Sequence, residues 1–297
     1  MRIAVIGVPF NSSGVGGGEA DGPRVLREEG LLTALAGRHD VVDLGDVAVP
    51  GATPERDPLS GIIAPEALAG MVASTSAAVA ATLADDRLPV VIGGDCPLLL
   101  GCLEAARHHA GGDVRLLFVD GHEDAYPPHV SLSGEAADME LGMALGLTTV
   151  TGLPALSDRL PLIAPEGVLV LGARDLLEIE QEGATSIRGR VTVMDDVELR
   201  ERGIDAVVGA FVEATDRAER RLWLHLDLDV LTGDALPAVS YPQPGGLDWD
   251  ELDAIGRRAV ASPSLLGIDV TIYNPDLDPT RRGAMMILNL IRGLLDP

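Results

Sequence analysis

Two strand-like runs in this chain end in side chains that can bind a metal. Leu116-Leu117-Phe118-Val119 runs into Asp120-Gly121-His122-Glu123-Asp124, and Leu222-Trp223-Leu224-His225-Leu226 runs into Asp227-Leu228-Asp229. In an extended segment alternate residues share one face. That spacing predicts that Asp120, His122 and Asp124 converge beyond the first strand, and Asp227 and Asp229 beyond the second. A single Asp-x-Asp reads equally well as a solvated strand end. Two such ends in one chain, one with a histidine, favour a metal site. Five converging ligands with little positive charge nearby repel one another unless a cation sits among them. Imidazole and carboxylate together suit Mn, Fe, Ni, Co or Zn rather than an oxygen-only calcium cage.

The elements that must position these ligands alternate along the chain. Residues 3–8, 41–45, 88–96 (turning through the paired glycines), 115–120, 148–150, 168–172, 190–194, 222–230 and 265–271 read as strands. Helices are expected from Gly22 onward and at 66–84, 97–107, 138–146, 175–182, 196–201, 205–219, 248–261 and 279–295. This alternation predicts an α/β fold: one domain over residues 1–297, a doubly wound, mostly parallel sheet with helices on both faces. Such sheets bind ligands at the carboxyl ends of their strands, where the five ligands and Cys96 all fall. The glycine-rich stretch Asn11–Gly18 fits neither a dinucleotide-binding fingerprint nor a P-loop.

Composition narrows the function further. Hydrophobic residues make up 46% of the 297 and aromatics only 3%, so a large core must rest on Leu, Val, Ile and Ala. The net charge of −24 argues against nucleic acid or an anionic membrane as partner, and suits a cationic small molecule. All 22 basic residues are arginine. Without lysine there is no Schiff base, no pyridoxal phosphate attachment and no P-loop phosphate clamp. Cys96 and Cys102 make no disulfide framework, and no signal peptide or membrane span is recognisable. A cytoplasmic protein is expected.

Several stretches are similar to the ureohydrolases, the family of arginase, agmatinase and formiminoglutamase. Gly17-Gly18-Glu19-Ala20-Asp21-Gly22-Pro23-Arg24 resembles the family's first glycine-rich loop and helix, and Gly93-Gly94-Asp95-Cys96 its Gly-Gly-Asp-His signature. Asp120-Gly121-His122-Glu123-Asp124 resembles Asp-Ala-His-x-Asp, and Leu226–Leu231 the third motif. Pro244-Gly245-Gly246-Leu247 and Tyr273-Asn274-Pro275 resemble later landmarks, so the likeness runs the length of the chain. The resemblance implies an arginase-like three-layer α/β/α fold. It also implies hydrolysis of a carbon–nitrogen bond by two divalent ions, usually Mn, that activate a bridging hydroxide against a planar carbon. Carried over residue by residue, Asp120 and Asp227 bridge both ions. His122 and Asp229 complete one, and Cys96 with Asp124 the other, while Asp124 also hydrogen-bonds the hydroxide. A homo-oligomer, trimer or hexamer, is implied as well.

The departures bear on chemistry. Cys96 stands where the family has a histidine ligand, and a thiolate favours Zn, Ni, Co or Fe over Mn. Three readings of Cys96 stay open: a ligand, an inert thiol beside a one-metal site, or a nucleophile. The family's guanidinium-contacting glutamate falls on Ile272, its amino-contacting aspartate on Leu177, and its histidine proton shuttle near Ala137. Arginine itself is therefore not the expected substrate. In the loop after the second motif, Glu135, Asp138 and Glu140 are candidates to bind a cationic substrate, and His129 to replace the shuttle; each also reads as solvated surface. The expected activity is metal-dependent hydrolysis of a guanidino or amidino small molecule. The alternatives are hydroxyguanidine hydrolysis, amidino chemistry centred on Cys96, or a family member that binds without turnover.

Overall fold

Runs of leucine and β-branched residues without polar alternation make strands buried on both faces. A computed structural model of the protein describes residues 1–296. Within them β1 (Arg2–Val8), β2 (Asp40–Asp46), β3 (Leu88–Gly93), β4 (Val114–Val119), β5 (Val168–Gly172), β6 (Thr192–Asp195), β7 (Arg221–Asp227) and β8 (Leu265–Thr271) join one sheet. The order is β2-β1-β3-β8-β7-β4-β5-β6, and every pairing is parallel.

Alternation along each strand feeds two cores. Leu116 and Phe118 of β4 pack with Trp223 of β7 on one side, whereas Leu117 and Val119 pack with Leu222, Leu224 and Leu226 on the other. Helices cover both faces, giving the expected three layers. On the first face lie Pro65–Ala84 and Leu98–His109, packed on one another. On the second lie Ile204–Arg217, Trp249–Val260 and Arg282–Leu295. Asp248 starts the second of these with a capping box: its side chain accepts from Glu251 N and the Glu251 carboxylate accepts from Asp248 N, an arrangement worth about 1 kcal/mol.

Two expectations need correction. The segment 148–150 is not a strand, although threonine and valine favour one; it follows the turn that ends helix Glu140–Ala144, and β6 already closes that edge of the sheet. Strand β7 stops at Asp227, and Leu228–Val230 makes one tight helical turn instead. Helix Pro65–Ala84, 20 residues long, is apolar enough to pass for a membrane span by composition. Its buried side chains lie in the sheet-facing core.

The functional consequence lies in the strand order. The chain reaches β3 and β4 first and returns later to fill the gap between them with β8 and β7. The carboxyl ends of these four neighbours carry Cys96, Ile272, Asp227 and Asp120 in turn. A crevice at such a switch point is where open α/β sheets bind ligands.

Candidate active site

The ligands meet through turns rather than through the pleat. Beyond β4, His122 N donates to Asp120 Oδ1 at 2.7 Å, and Asp124 adopts a left-handed backbone with φ 42°. Beyond β7, Asp229 N donates to Asp227 Oδ1 at 2.7 Å, closing the turn Leu228–Val230. The two turns are joined: Gly121 N donates to Asp229 Oδ1 at 3.0 Å, and His122 Nδ1 lies 3.0 Å from Asp229 Oδ2. A Cβ on Gly121 would stand 2.8 Å from Asp229 Oδ1, so a larger residue at that crossing would push the Asp229 carboxylate aside. Arg174 Nη2 donates to the carbonyl of Asp229 at 2.9 Å and its Nε to the carbonyl of Pro244 at 3.2 Å. It thereby ties the β7 turn to the following loop.

Cys96 enters from β3. Its strand end is pressed against Phe10, whose carbonyl would lie 2.0 Å from a Cβ at Gly94. Cys96 Sγ is 2.5 Å from Asp227 Oδ2 and 3.1 Å from Thr271 Oγ1. Asp120, His122 and Asp229 form one compact ligand group, and Cys96, Asp120, Asp124 and Glu140 form another, with Asp120 common to both. A third group joins Cys96, Asp120 and Asp227 to His225.

Two members of these groups were not foreseen as ligands. Glu140 was expected on the substrate wall, but it is fully buried beside Asp124 and does not line the cavity. Helix Glu140–Ala144 begins at this residue and turns its side chain inward. His225 sits on the β7 face that carries Asp227, with its ring stacked on Phe118 at 4.6 Å. Its Nδ1 faces Asp269, the residue opposite it on β8.

Burial pushes Asp124, Asp227 and Glu140 well above the usual carboxylate range, and the neighbouring carboxylates add to the effect. Burial pushes the Cys96 thiol up as well, with Asp227 next in importance. Burial acts the same way on Asp120, but the imidazoles of His122 and His225 outweigh it and hold that carboxyl low. Asp120 Oδ2, both oxygens of Glu140 and Nε2 of His225 are buried without any hydrogen-bond partner. Orphaned acceptors in a dry carboxylate cluster fit a bound cation. The sulfur, nitrogen and oxygen donors suit a borderline divalent metal.

A cavity of about 440 Å³ opens over this floor. His122, Asp124, Asp227 and Asp229 reach it from below; Glu135, Asp138, Asp175, Glu178 and Glu182 form an acidic wall. Asp138 Oδ2 accepts from Ser131 and Ser133, both at 2.7 Å, and its Oδ1 is free. Burial pushes both Asp138 and Asp175 up to about 6. Tyr241 donates to Glu135 at 3.3 Å. Ile272 lines the cavity at φ 67°, a left-handed backbone unusual for a β-branched residue, held by its N–H to the carbonyl of Gly94 at 2.9 Å. Glu135 and Asp138, candidates for the substrate site, line the cavity. His129 does not: it is exposed and outside the cavity lining, and Ala137 occupies the wall instead. Glu123 is buried against Ser186 and Arg188 and also stays outside. Leu177 is 70% exposed, and Glu178 beside it turns to the cavity.

A parallel α/β sheet with buried groups that could hold metal ions at its switch point and a cavity above them has the layout of a metal-dependent enzyme. A family model described as the arginase family matches residues 1–295. The arginase of Agrobacterium fabrum is 29% identical over 295 residues, covering 98% of this chain and 89% of that protein. Among solved structures, the arginase from Bacillus caldovelox superposes with a TM-score of 0.87 at 25% identity, covering 100% of this chain and 98% of that one. Formimidoylglutamase from Bacillus subtilis shares the fold, with a TM-score of 0.71 at 19% identity over 99% and 86% of the two chains. The chain belongs to the arginase family, whose members are hydrolases of carbon–nitrogen bonds in linear amidines and carry a binuclear divalent metal site.

Proposed function

We propose that this protein hydrolyses a guanidino or amidino compound that carries a second positive charge and no carboxylate, with arginine itself a poor substrate because nothing on the wall receives its carboxylate. The acidic wall supports this reading: its five carboxylates face the cavity beside Asp124, Asp227 and Asp229 of the floor, and among the described lining residues His122, in that floor, is the sole basic side chain. Two divalent cations, when bound, supply Lewis acidity that lowers the pKa of a water and polarises the amidino carbon. Asp120, Asp227, His122, Asp229, Asp124 and Cys96 would hold them.

The chain's own residues then divide the work. Asp124 both belongs to the ligand groups and lines the cavity. Its carboxylate accepts a hydrogen bond from the attacking water and passes that proton to the leaving nitrogen. Tyr126, Leu132 and Ile272 exclude water and cover the methylene chain of the substrate. Asp138 and Glu178 bind the distal cation. Cys96 is 1% exposed and does not line the cavity, which leaves a substrate carbon no path to its sulfur.

The test is a product-release assay over a panel of guanidino compounds ending in amine, carboxylate or amino acid. Amine-ended compounds should exceed arginine in kcat/KM by at least about ten-fold, since a charged contact contributes about 1.5–3 kcal/mol. Arginine turned over as well as the best amine would overturn the proposal.

A further inference from the structure

Beneath the floor, two polar atoms without partners face one another. His225 Nε2 and Asp120 Oδ2 are 3.8 Å apart, both in fully buried side chains and both unpaired. The gap is too long for a hydrogen bond. It is close to the spacing of two ligands on one cation, which at bond lengths of about 2.0–2.2 Å lie roughly 3–3.5 Å apart. Cys96 Sγ and an Asp227 oxygen complete a group whose ligand atoms all lie within 4.8 Å of one another.

The ring is oriented for this task. Its Nδ1 faces Asp269 Oδ1, and the other oxygen of Asp269 accepts from Trp223 Nε1 at 2.5 Å. A carboxylate that holds the Nδ1–H of an imidazole fixes the tautomer and leaves the Nε2 lone pair free, as in carboxylate–histidine–metal relays. On the other flank Glu140 presents two unpaired oxygens to Cys96, Asp120 and Asp124, again within 4.8 Å.

We propose that His225 and Glu140 are ligands of the inner metal ion, the one that touches Cys96. That position draws on Cys96 Sγ and the shared Asp120, with His225 Nε2 and Asp227 on one flank and Asp124 and a Glu140 oxygen on the other. The outer position keeps Asp120, His122 and Asp229. Asp269 is a positioning residue that acts through His225. The inner set is richer in soft and borderline donors than the outer one, so the two positions differ in metal preference, with Zn, Co or Ni favoured inside. The inference rests on metal binding at the floor and is independent of the substrate.

The experiment uses the full chain, stripped with a chelator and titrated with Co(II). It reads ions per chain by elemental analysis, a thiolate-to-cobalt charge-transfer band, and the imidazole count by X-ray absorption. The parent should bind two ions, show the band, and report two imidazoles shared between the ions. His225→Gln and Glu140→Gln should each keep the outer ion and hold the inner one at least about ten-fold more weakly, with the band shifted or lost. Asp269→Asn should weaken the inner ion by about 10–100-fold while leaving the outer ion unchanged, a split that a merely structural role would not produce. Circular dichroism on each variant identifies any that fail to fold, and Asp269→Asn and Glu140→Gln then carry the test without His225→Gln. Parent-like affinity and spectrum for both ions in the folded variants would overturn the inference and leave the metal-dependent hydrolase standing. So would a parent that holds one ion and shows no band, with His225 serving as a buried imidazolium. A parent that binds no metal would sink both readings.

Discussion

The floor and the wall of the cavity are built by different means. Floor ligands sit at strand ends and on tight turns locked by backbone hydrogen bonds, such as Gly121 N to Asp229 Oδ1. Wall residues Glu135 and Asp138 come from a loop and a single short turn, and Tyr241, Pro242 and Gln243 from another loop. The floor is buried and crowded with charge; the wall is partly exposed and held by a few side-chain bonds, two to Asp138 and one to Glu135. Chemistry is therefore placed on the rigid sheet and recognition on adaptable loops. The same difference explains why the ligand motifs resemble a whole family while the wall does not.

Changes in the floor should have the largest effects. Asp120→Asn and Asp227→Asn remove carboxylates that belong to the ligand groups, and most bound metal should be lost. A metal present at about a thousand times its Kd contributes about 4 kcal/mol to stability, so a scan with and without chelator should show the thermal shift collapse in both variants. Unchanged metal content would mean that the floor is not the metal site.

A change at the boundary should have a smaller effect. Ile272→Glu puts a carboxylate where the floor meets the wall and removes a β-branched residue from a left-handed backbone. Activity on arginine should rise by about one to two powers of ten, the effect of a charged contact worth roughly 1.5–3 kcal/mol. No gain on arginine, in a fold unchanged by circular dichroism, would place the specificity elsewhere on the wall.

Next comes pH. Burial raises Asp138 and Asp175 to about 6, so both lose their charge as pH falls through that value. KM for a cationic substrate should rise below about pH 6, and Asp138→Asn should flatten that limb of the profile. In metal-free protein the sign for stability is the opposite of the common carboxylate case. A raised folded-state pKa makes the contribution of these groups full in acid and lost as pH rises through about 6. The smallest effect is expected at the rim: Tyr241→Phe removes one long bond to Glu135, worth about 1 kcal/mol or less, and KM should change only a few-fold.

Local pattern by itself marked the eight strands of the sheet, with one false addition at 148–150, and five candidate ligands. Asp120, His122, Asp124, Asp227 and Asp229 follow two apolar runs whose short length suits buried strands that have reached their ends. The sequence also determined what the wall lacks, through Ile272 and Ala137. Tertiary structure alone decided the rest. His225 lies inside a strand among Leu222, Trp223, Leu224 and Leu226, where periodicity treats it as one more buried residue. Its role appears only when β7 and β8 pair in a register that sets it against Asp269, 44 residues further along. Glu140 and His129 are both polar residues of one loop region, yet one is fully buried and the other exposed. Glu140 turns inward because it opens the helix Glu140–Ala144, which packs against helix Leu98–His109. Contacts made across the sheet are non-local, and the spacing of residues along a chain holds no record of them.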